Sequence, residues 1–353
     1  MKLNLPMIRR LARRAVGRAA ELQSLAVRST TLHPEEEALV APAVYLSGAV
    51  ERIVGLSPWR SWDVEKPLIS GGRFRLPATR SYLIEGVEVA GPCLYAGPAK
   101  AHAGYGQERW FLPSTTYERL SEANLVTTPS GSQFFGEYLC DDYCLELLDP
   151  ASQRNLSLVT KEYKHDAGYR RLMNLKNPRG MGLGRIDRLT VYQDAPNNKD
   201  RAARYRRLRA NLRQSVQRTT SPPAGVYLKR GRTGEARLVE NEAEVEIALG
   251  NLGFVTVEPG VLDVDEIVRL TLDTPIVVSV EGSHLSHVTY SVADSSAFLV
   301  LQPPDRFALN YKEFTDCVGM KFGFVVGQRS PSGFTVSVDE MLEVLNRLME
   351  SQS

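Results

Sequence analysis

Val226-Tyr227-Leu228-Lys229-Arg230-Gly231-Arg232-Thr233-Gly234 opens the stretch whose reading decides the fold. Its first four residues read as a short buried strand, and the glycines that follow let the backbone turn among arginines. Residues 241–249 then carry helical spacing, and Phe254-Val255-Thr256-Val257 reads as a second strand. A second helix over 263–272 leads to a third strand, Pro275-Ile276-Val277-Val278-Ser279-Val280. The alternation continues with a helix from about Ser286, a strand over 297–301, a helix near 311–318, a strand over 321–326 and a last helix over 338–349. Alternating strands and helices predict an α/β fold with a parallel sheet covered on both faces, whose ligands bind at the carboxyl ends of the strands. Arg230 and the turn Glu281-Gly282-Ser283-His284-Leu285-Ser286-His287 both fall at such ends, a layout that suits a diphosphate.

Outward from this region the organisation is less regular. A chain of 353 residues leans toward two domains. Residues 1–32 read as a basic amphipathic segment. Arg9, Arg10, Arg13, Arg14 and Arg18 alternate there with Ile8, Leu11, Ala12, Val16 and Ala19. That segment suits either peripheral contact of residues 8–19 with an anionic membrane surface or packing on the body of the protein. Residues 33–220 form the expected first domain, with short strands at 81–84, 93–95, 156–160 and 188–192 and a helix toward the end of 134–148. An arginine-rich helix over 201–218 runs into Thr219-Thr220-Ser221-Pro222-Pro223-Ala224-Gly225, the linker to a second domain over 221–353.

Composition excludes several function classes. A net charge of +2 gives no overall case for nucleic acid, and Tyr205 alone interleaves the arginine-rich helix with an aromatic ring. No run of about eighteen apolar residues marks a membrane span, and the amino terminus lacks the apolar stretch of a secretory signal. Cys93, Cys140, Cys144 and Cys317 are too few and too scattered for a disulfide framework or a four-ligand zinc site. The turn after Leu228 is not the Gly-x-Gly-x-x-Gly loop of a dinucleotide oxidoreductase.

Arg230, Arg232 and Arg237 can neutralise a nucleotide diphosphate through guanidinium forks, although arginines in turns are commonly just solvated. Asn241 and Glu242 open a helix, where Asn caps well and Glu suits the positive end. Gly282, Ser283, His284 and His287 lie where backbone amides meet a phosphate, with a capping or core role open for His287. Glu281, His284 and His287 would make a metal trio, but no carboxylate-rich motif completes it, and no metal is expected.

These residues resemble the nucleotide-sugar half of family 61 glycosyltransferases. The resemblance is carried by Tyr227-Leu228-Lys229-Arg230, Arg237, Asn241-Glu242, Gly253-Phe254, Glu281-Gly282-Ser283-His284-Leu285 and Leu301-Gln302-Pro303. In the first half, Phe135-Gly136-Glu137-Tyr138-Leu139-Cys140-Asp141-Asp142 resembles that family's aromatic segment with a histidine and, four residues on, an aspartate. Glu137 stands where the family usually has histidine, and Glu-Gly-Ser-His-Leu stands for the commoner His-Gly-Ala-Gly-Leu.

The resemblance implies a GT-B-like fold, two Rossmann-like domains facing a cleft, with the donor on the C-terminal half and the acceptor against the first. It implies inverting transfer of a sugar from a nucleotide-sugar substrate to a glycan or lipid-linked acceptor, without a cofactor. Bacterial members serve capsular or other surface polysaccharide synthesis, which implies a cytoplasmic enzyme at the inner face of the membrane. Asp141 is the expected general base, four residues from Glu137 on one helix face, and Glu281 competes with it. The alternative is a non-catalytic protein that binds sugar nucleotide or glycan through a degenerate site.

Overall fold

The computed structural model of the chain describes residues 2–16, 20–113, 116–151, 153–159, 161–194, 197–216, 221–231 and 237–350. Its contacts divide this mixed α/β protein into two units, each discontinuous in sequence. One gathers Met1–Glu36, Pro77–Asp166 and Leu175–Ala195, and the other gathers Glu37–Leu76, Ala167–Asn174 and Pro196–Ser353.

The second unit is built on the alternation read above: β1 (Gly225–Leu228), α1 (Glu242–Asn251), β2 (Phe254–Val257), α2 (Val264–Thr271), β3 (Ile276–Val280), β4 (Ala297–Gln302), α3 (Asn310–Val318), β5 (Lys321–Val326) and α4 (Val338–Glu350). The strands lie in the order β2-β1-β3-β4-β5, all parallel. Every residue of β1, β3 and β4 is buried, as expected of parallel strands covered on both faces, and this explains their unbroken apolar text. The core on one side holds Tyr227, Val278, Val280, Leu299 and Leu301 against Val344, Leu345 and Leu348 of α4. A capping box starts α2, where Glu266 N–H donates to Asp263 Oδ1 at 2.9 Å and Glu266 answers to the Asp263 N–H. Gly319, at φ 83°, ends α3 in the left-handed conformation. Where a helix was expected from Ser286, a six-residue 3₁₀ stretch, Ser283–Val288, follows β3 instead.

Boundaries at 32 and 220 do not coincide with this division, because distant segments complete the cover of the parallel sheet. Val44 pairs with Gly323 of β5, and Leu56 with Phe307. The arginine-rich helix, Lys199–Ser215, starts at Asn198, whose side chain accepts from Arg201 N–H at 2.8 Å. Tyr205 on it meets the Phe314 ring of α3 edge-on, with centroids 5.1 Å apart. Its arginines are turned inward more than outward: Arg201, Arg204 and Arg209 are buried, while Arg206 and Arg207 are exposed. Arg209 donates to the carbonyls of Thr289 and Val292 and to Asp294 Oδ1 at 2.8 Å, so it caps the turn after the 3₁₀ stretch. This disposition leaves few of the cations for a polyanion.

The first unit has a mixed sheet, not a Rossmann-like one. Its long strands Thr79–Ala90 and Leu183–Gln193 are antiparallel to each other, and Arg28–His33 and Cys93–Ala96 add antiparallel to Thr79–Ala90. Glu118–Leu125 and Asn155–Ser157 add in parallel on the other side. The expectation of two Rossmann-like domains is therefore corrected for this half, whose hairpins need only short turns where parallel strands need crossovers. The amino-terminal helix, Leu5–Val16, packs on this unit: Pro6 and Met7 are buried, Met7 against Tyr95 and Leu112, while Leu11, Arg13 and Arg14 are exposed. Among the described residues no cysteine is bonded to another and no helix is long and apolar enough to cross a membrane.

Arg209→Met should destabilise the protein by about 3 kcal/mol in urea unfolding, because two interior carbonyls lose their donor. A loss under about 0.5 kcal/mol, the level of ordinary surface changes, would contradict the capping role.

Candidate functional site

In a parallel sheet of this strand order the connections leave β1 and β3 in opposite directions, and a crevice opens beyond their carboxyl ends. Arg230 follows β1 and Glu281 follows β3 at that point. The Glu281 carbonyl accepts from Arg230 Nη1 at 3.3 Å and from Arg237 Nη1 at 2.7 Å. Arg237 also pairs with the Glu281 carboxylate, and both side chains are buried. Burial pushes the Glu281 carboxyl above its ordinary range, against the pull of Arg237, Arg230 and Arg306. Burial pulls the Arg230 guanidinium down, and the neighbouring Arg237 adds to this. Three guanidinium groups thus surround one carboxylate, an excess of positive charge that matches a diphosphate.

Gly282 makes the packing possible. It adopts φ 154°, ψ 164°, a region open to glycine alone, and a Cβ there would collide with Arg230 Nη1 and stand 3.0 Å from His284 Nδ1. His284 Nε2 lies 2.8 Å from Ser279 Oγ, which donates to Leu228 O at 2.7 Å. That chain makes Nε2 the N–H donor and leaves a lone pair on Nδ1. Burial, with the arginines beside it, pulls the imidazole down to about 3, so it is neutral at physiological pH. His284 Nδ1 and Arg237 Nε are buried without a hydrogen-bond partner among the described residues. The first wants a hydroxyl or N–H, and the second wants an acceptor such as a phosphate oxygen.

The other expected residues are placed as follows. Ser283 is exposed at the same turn. His287 is buried, with Nδ1 2.9 Å from Tyr169 Oη, which also donates to the His287 carbonyl at 3.0 Å. Asn241 clamps Val336, accepting from its N–H at 3.0 Å and donating to its carbonyl at 2.8 Å. Glu242 accepts from Tyr227 Oη at 2.9 Å. Arg232 lies outside the described residues. Glu281, His284 and His287 do not converge, and no group of three or more His, Cys, Asp or Glu among the described residues is placed to hold a metal ion. Arg306 was missed in the sequence, although it follows β4 much as Arg230 follows β1. It also stacks on Trp59, 5.0 Å from the ring centroid.

Glu137 and Asp141 lie in the first unit, both half-buried. Between them the helix widens into a π-type turn, Tyr138–Asp142, which shifts the shared face from a spacing of four to five. Asp142, the last residue of this turn, lies close enough to Glu146 and Glu137 for their charges to act on it. It is buried, its Oδ1 accepts from Thr128 N–H at 2.9 Å and Thr128 Oγ1 at 2.7 Å, and Gly131 packs so closely that a Cβ would collide with it. Burial raises its pKa well above the carboxylate range; the Thr128 hydrogen bonds oppose this, and Glu146 and Glu137 reinforce it. Tyr138 and Tyr163 pack beside this face, ring centroids 4.9 Å apart, with Lys161 over Tyr163 at 5.2 Å.

The acid form of Asp142 stabilises the fold below the ordinary carboxylate range, and that contribution is lost as pH rises through its raised folded-state pKa. Asp142→Asn, which keeps an acceptor for Thr128 and supplies a donor in place of the proton, should raise the melting temperature at pH 7. The gain should shrink toward pH 4. Equal destabilisation at every pH would mean that the carboxylate is ionised in the fold.

Residues 165–297 match the family model described as Glycosyltransferase 61. The matched stretch takes in the Leu175–Ala195 segment of the first unit and runs through β1, β2 and β3 to the first residue of β4, so it contains Arg230, Arg237, Glu281, Gly282 and His284. It begins after the segment with Glu137 and Asp141. No curated protein matches the chain. The crevice residues Arg230, Arg237, Glu281, Gly282 and His284 thus lie inside a stretch, less than half of the chain, that is similar to family 61 glycosyltransferases.

Proposed function

We propose that the protein is an inverting glycosyltransferase whose second unit holds a nucleotide sugar at the ends of β1 and β3. The observation that carries the reading is the convergence of Arg230 and Arg237 on Glu281 at the sheet's switch point. In this scheme the acceptor hydroxyl attacks the anomeric carbon as the bond to the diphosphate breaks. The proton passes to a carboxylate, and the guanidinium groups stabilise the departing diphosphate. Glu281 holds Arg237 in place, and Asp141, the more accessible of the paired aspartates, is the base. Neutral His284 accepts from a hydroxyl of the donor rather than holding phosphate. Arginines take the place a metal would otherwise fill at the diphosphate, and no cofactor enters the scheme.

The parallel unit corresponds to the nucleotide-sugar domain of a GT-B enzyme, and that relation rests on this unit alone. The acceptor is a glycan or lipid-linked glycan of a bacterial surface polysaccharide, built at the cytoplasmic face of the membrane. This last step rests on the family and not on residues. A non-catalytic binding protein is the second reading, favoured by the Glu281 carboxylate being already occupied by Arg237.

Arg230→Ala should weaken binding of the preferred nucleoside diphosphate about 10- to 100-fold in calorimetry, the worth of a charge-assisted hydrogen bond. Asp141→Asn should leave that binding intact and lower transfer or donor hydrolysis by a factor on the order of 10²–10⁴. Chelator should change neither measurement. Binding without any turnover in the unmodified protein would favour the second reading, and activity lost on chelation would remove the metal-free scheme.

A further inference from the structure

A cavity of about 730 Å³ lies in the first unit, between the amino-terminal helix and the mixed sheet, and the scheme above does not use it. Five cationic side chains line it, Lys2, Arg9, Arg10, Arg13 and Arg185, against one carboxylate, Glu88. Glu88 is committed to Arg9, whose Nε donates to it at 3.3 Å. The nearby Glu108 is held by Lys100 at 2.8 Å and by Tyr95 Oη. Arg10 Nε reaches only the Pro98 carbonyl, at 3.4 Å, and Arg13 has no hydrogen-bond or ion-pair partner among the described residues. Gly86, at φ 66°, gives the Arg185 guanidinium room, since a Cβ there would stand 2.9 Å from Nη2. Arg185 pairs with Asp187 at 3.5 Å and the Arg10 charge acts on Glu108, so the positive charge left for a phosphate group centres on Arg13 with Arg10 beside it.

The remaining wall is apolar and open to solvent. Leu3 and Leu5 line the cavity and are about half exposed. Leu3 pairs with Phe111, whose ring is also exposed, and Asn4 N–H donates to the Trp110 carbonyl at 2.9 Å. Half-exposed leucines beside arginine charge suit an amphiphile at a membrane interface, which meets both demands. A free nucleotide or inorganic phosphate would satisfy the arginines and leave the apolar wall wet.

We propose that this cavity binds a phosphate-bearing lipid, with the phosphate on Arg10 and Arg13 and the hydrocarbon chain along Leu3 and Leu5. The test is calorimetric titration of the full chain with monomeric decyl phosphate and with inorganic phosphate. Co-sedimentation with vesicles of phosphatidylcholine, alone or mixed equally with phosphatidylglycerol, extends it to a bilayer. Decyl phosphate should bind at least about tenfold tighter than inorganic phosphate, reflecting the buried chain, and the protein should sediment only with the anionic vesicles. Arg13→Glu should weaken both interactions at least about fivefold. Arg14→Glu is the same charge change on the same helix but off the cavity lining, and it should stay within about twofold of the unmodified protein. Arg230→Ala should bind decyl phosphate as the unmodified protein does, which separates this site from the nucleotide crevice. Equal affinity for the two phosphates, or equal losses in Arg13→Glu and Arg14→Glu, would overturn the proposal.

Discussion

The buried pair of Glu281 and Arg237 is the interaction on which the crevice depends. A carboxylate in the interior is costly unless an opposite charge and hydrogen bonds meet it, and here Arg237 contacts both its side chain and its own carbonyl. Removing either partner would leave the other charge uncompensated in a dry environment. The pair also fixes where Arg230 can lie, because Arg230 reaches the same carbonyl across the gap that Gly282 leaves. β3 and its turn therefore present guanidinium groups in a set arrangement before any ligand arrives, the preorganisation that electrostatic stabilisation of a leaving diphosphate requires.

Charge and neutrality are divided within a few residues. Burial, and after it the neighbouring arginines, holds His284 uncharged, and the Ser279 hydroxyl, committed to Leu228, fixes which imidazole nitrogen carries the hydrogen. One side of the crevice offers positive charge and the other a neutral acceptor, a combination suited to a ligand with both phosphate and hydroxyl groups. The first unit holds a different device, the Asp142 carboxyl, which burial pushes up, with Glu146 and Glu137 adding to this against the Thr128 hydrogen bonds.

Much of the second unit was legible because parallel strands buried on both faces need unbroken apolar runs, and Val277, Val278 and Leu299 supply them. The placing of Arg230 and Glu281 followed from counting to the ends of those runs. Other features had no signal of that kind. The bridge between Val44 and Gly323 is a single residue pair with no periodicity, so the discontinuous membership of the second unit was invisible. The inward-facing arginines between Arg201 and Arg209 resemble a solvated face until their carbonyl partners are known. The π-type turn over Tyr138–Asp142 adds one residue to the helical repeat, and no residue type announces such a turn. Arg306 could have been found by applying to β4 the strand-end argument used for β1.

The most direct test of the central claim is a crystal structure of the protein with the nucleoside diphosphate that raises its melting temperature most. The account predicts diphosphate oxygens within about 3 Å of the Arg230 and Arg237 guanidinium groups, beyond the ends of β1 and β3, with a ligand hydroxyl on His284 Nδ1. A nucleotide bound elsewhere, with those two arginines still turned only to Glu281, would contradict it.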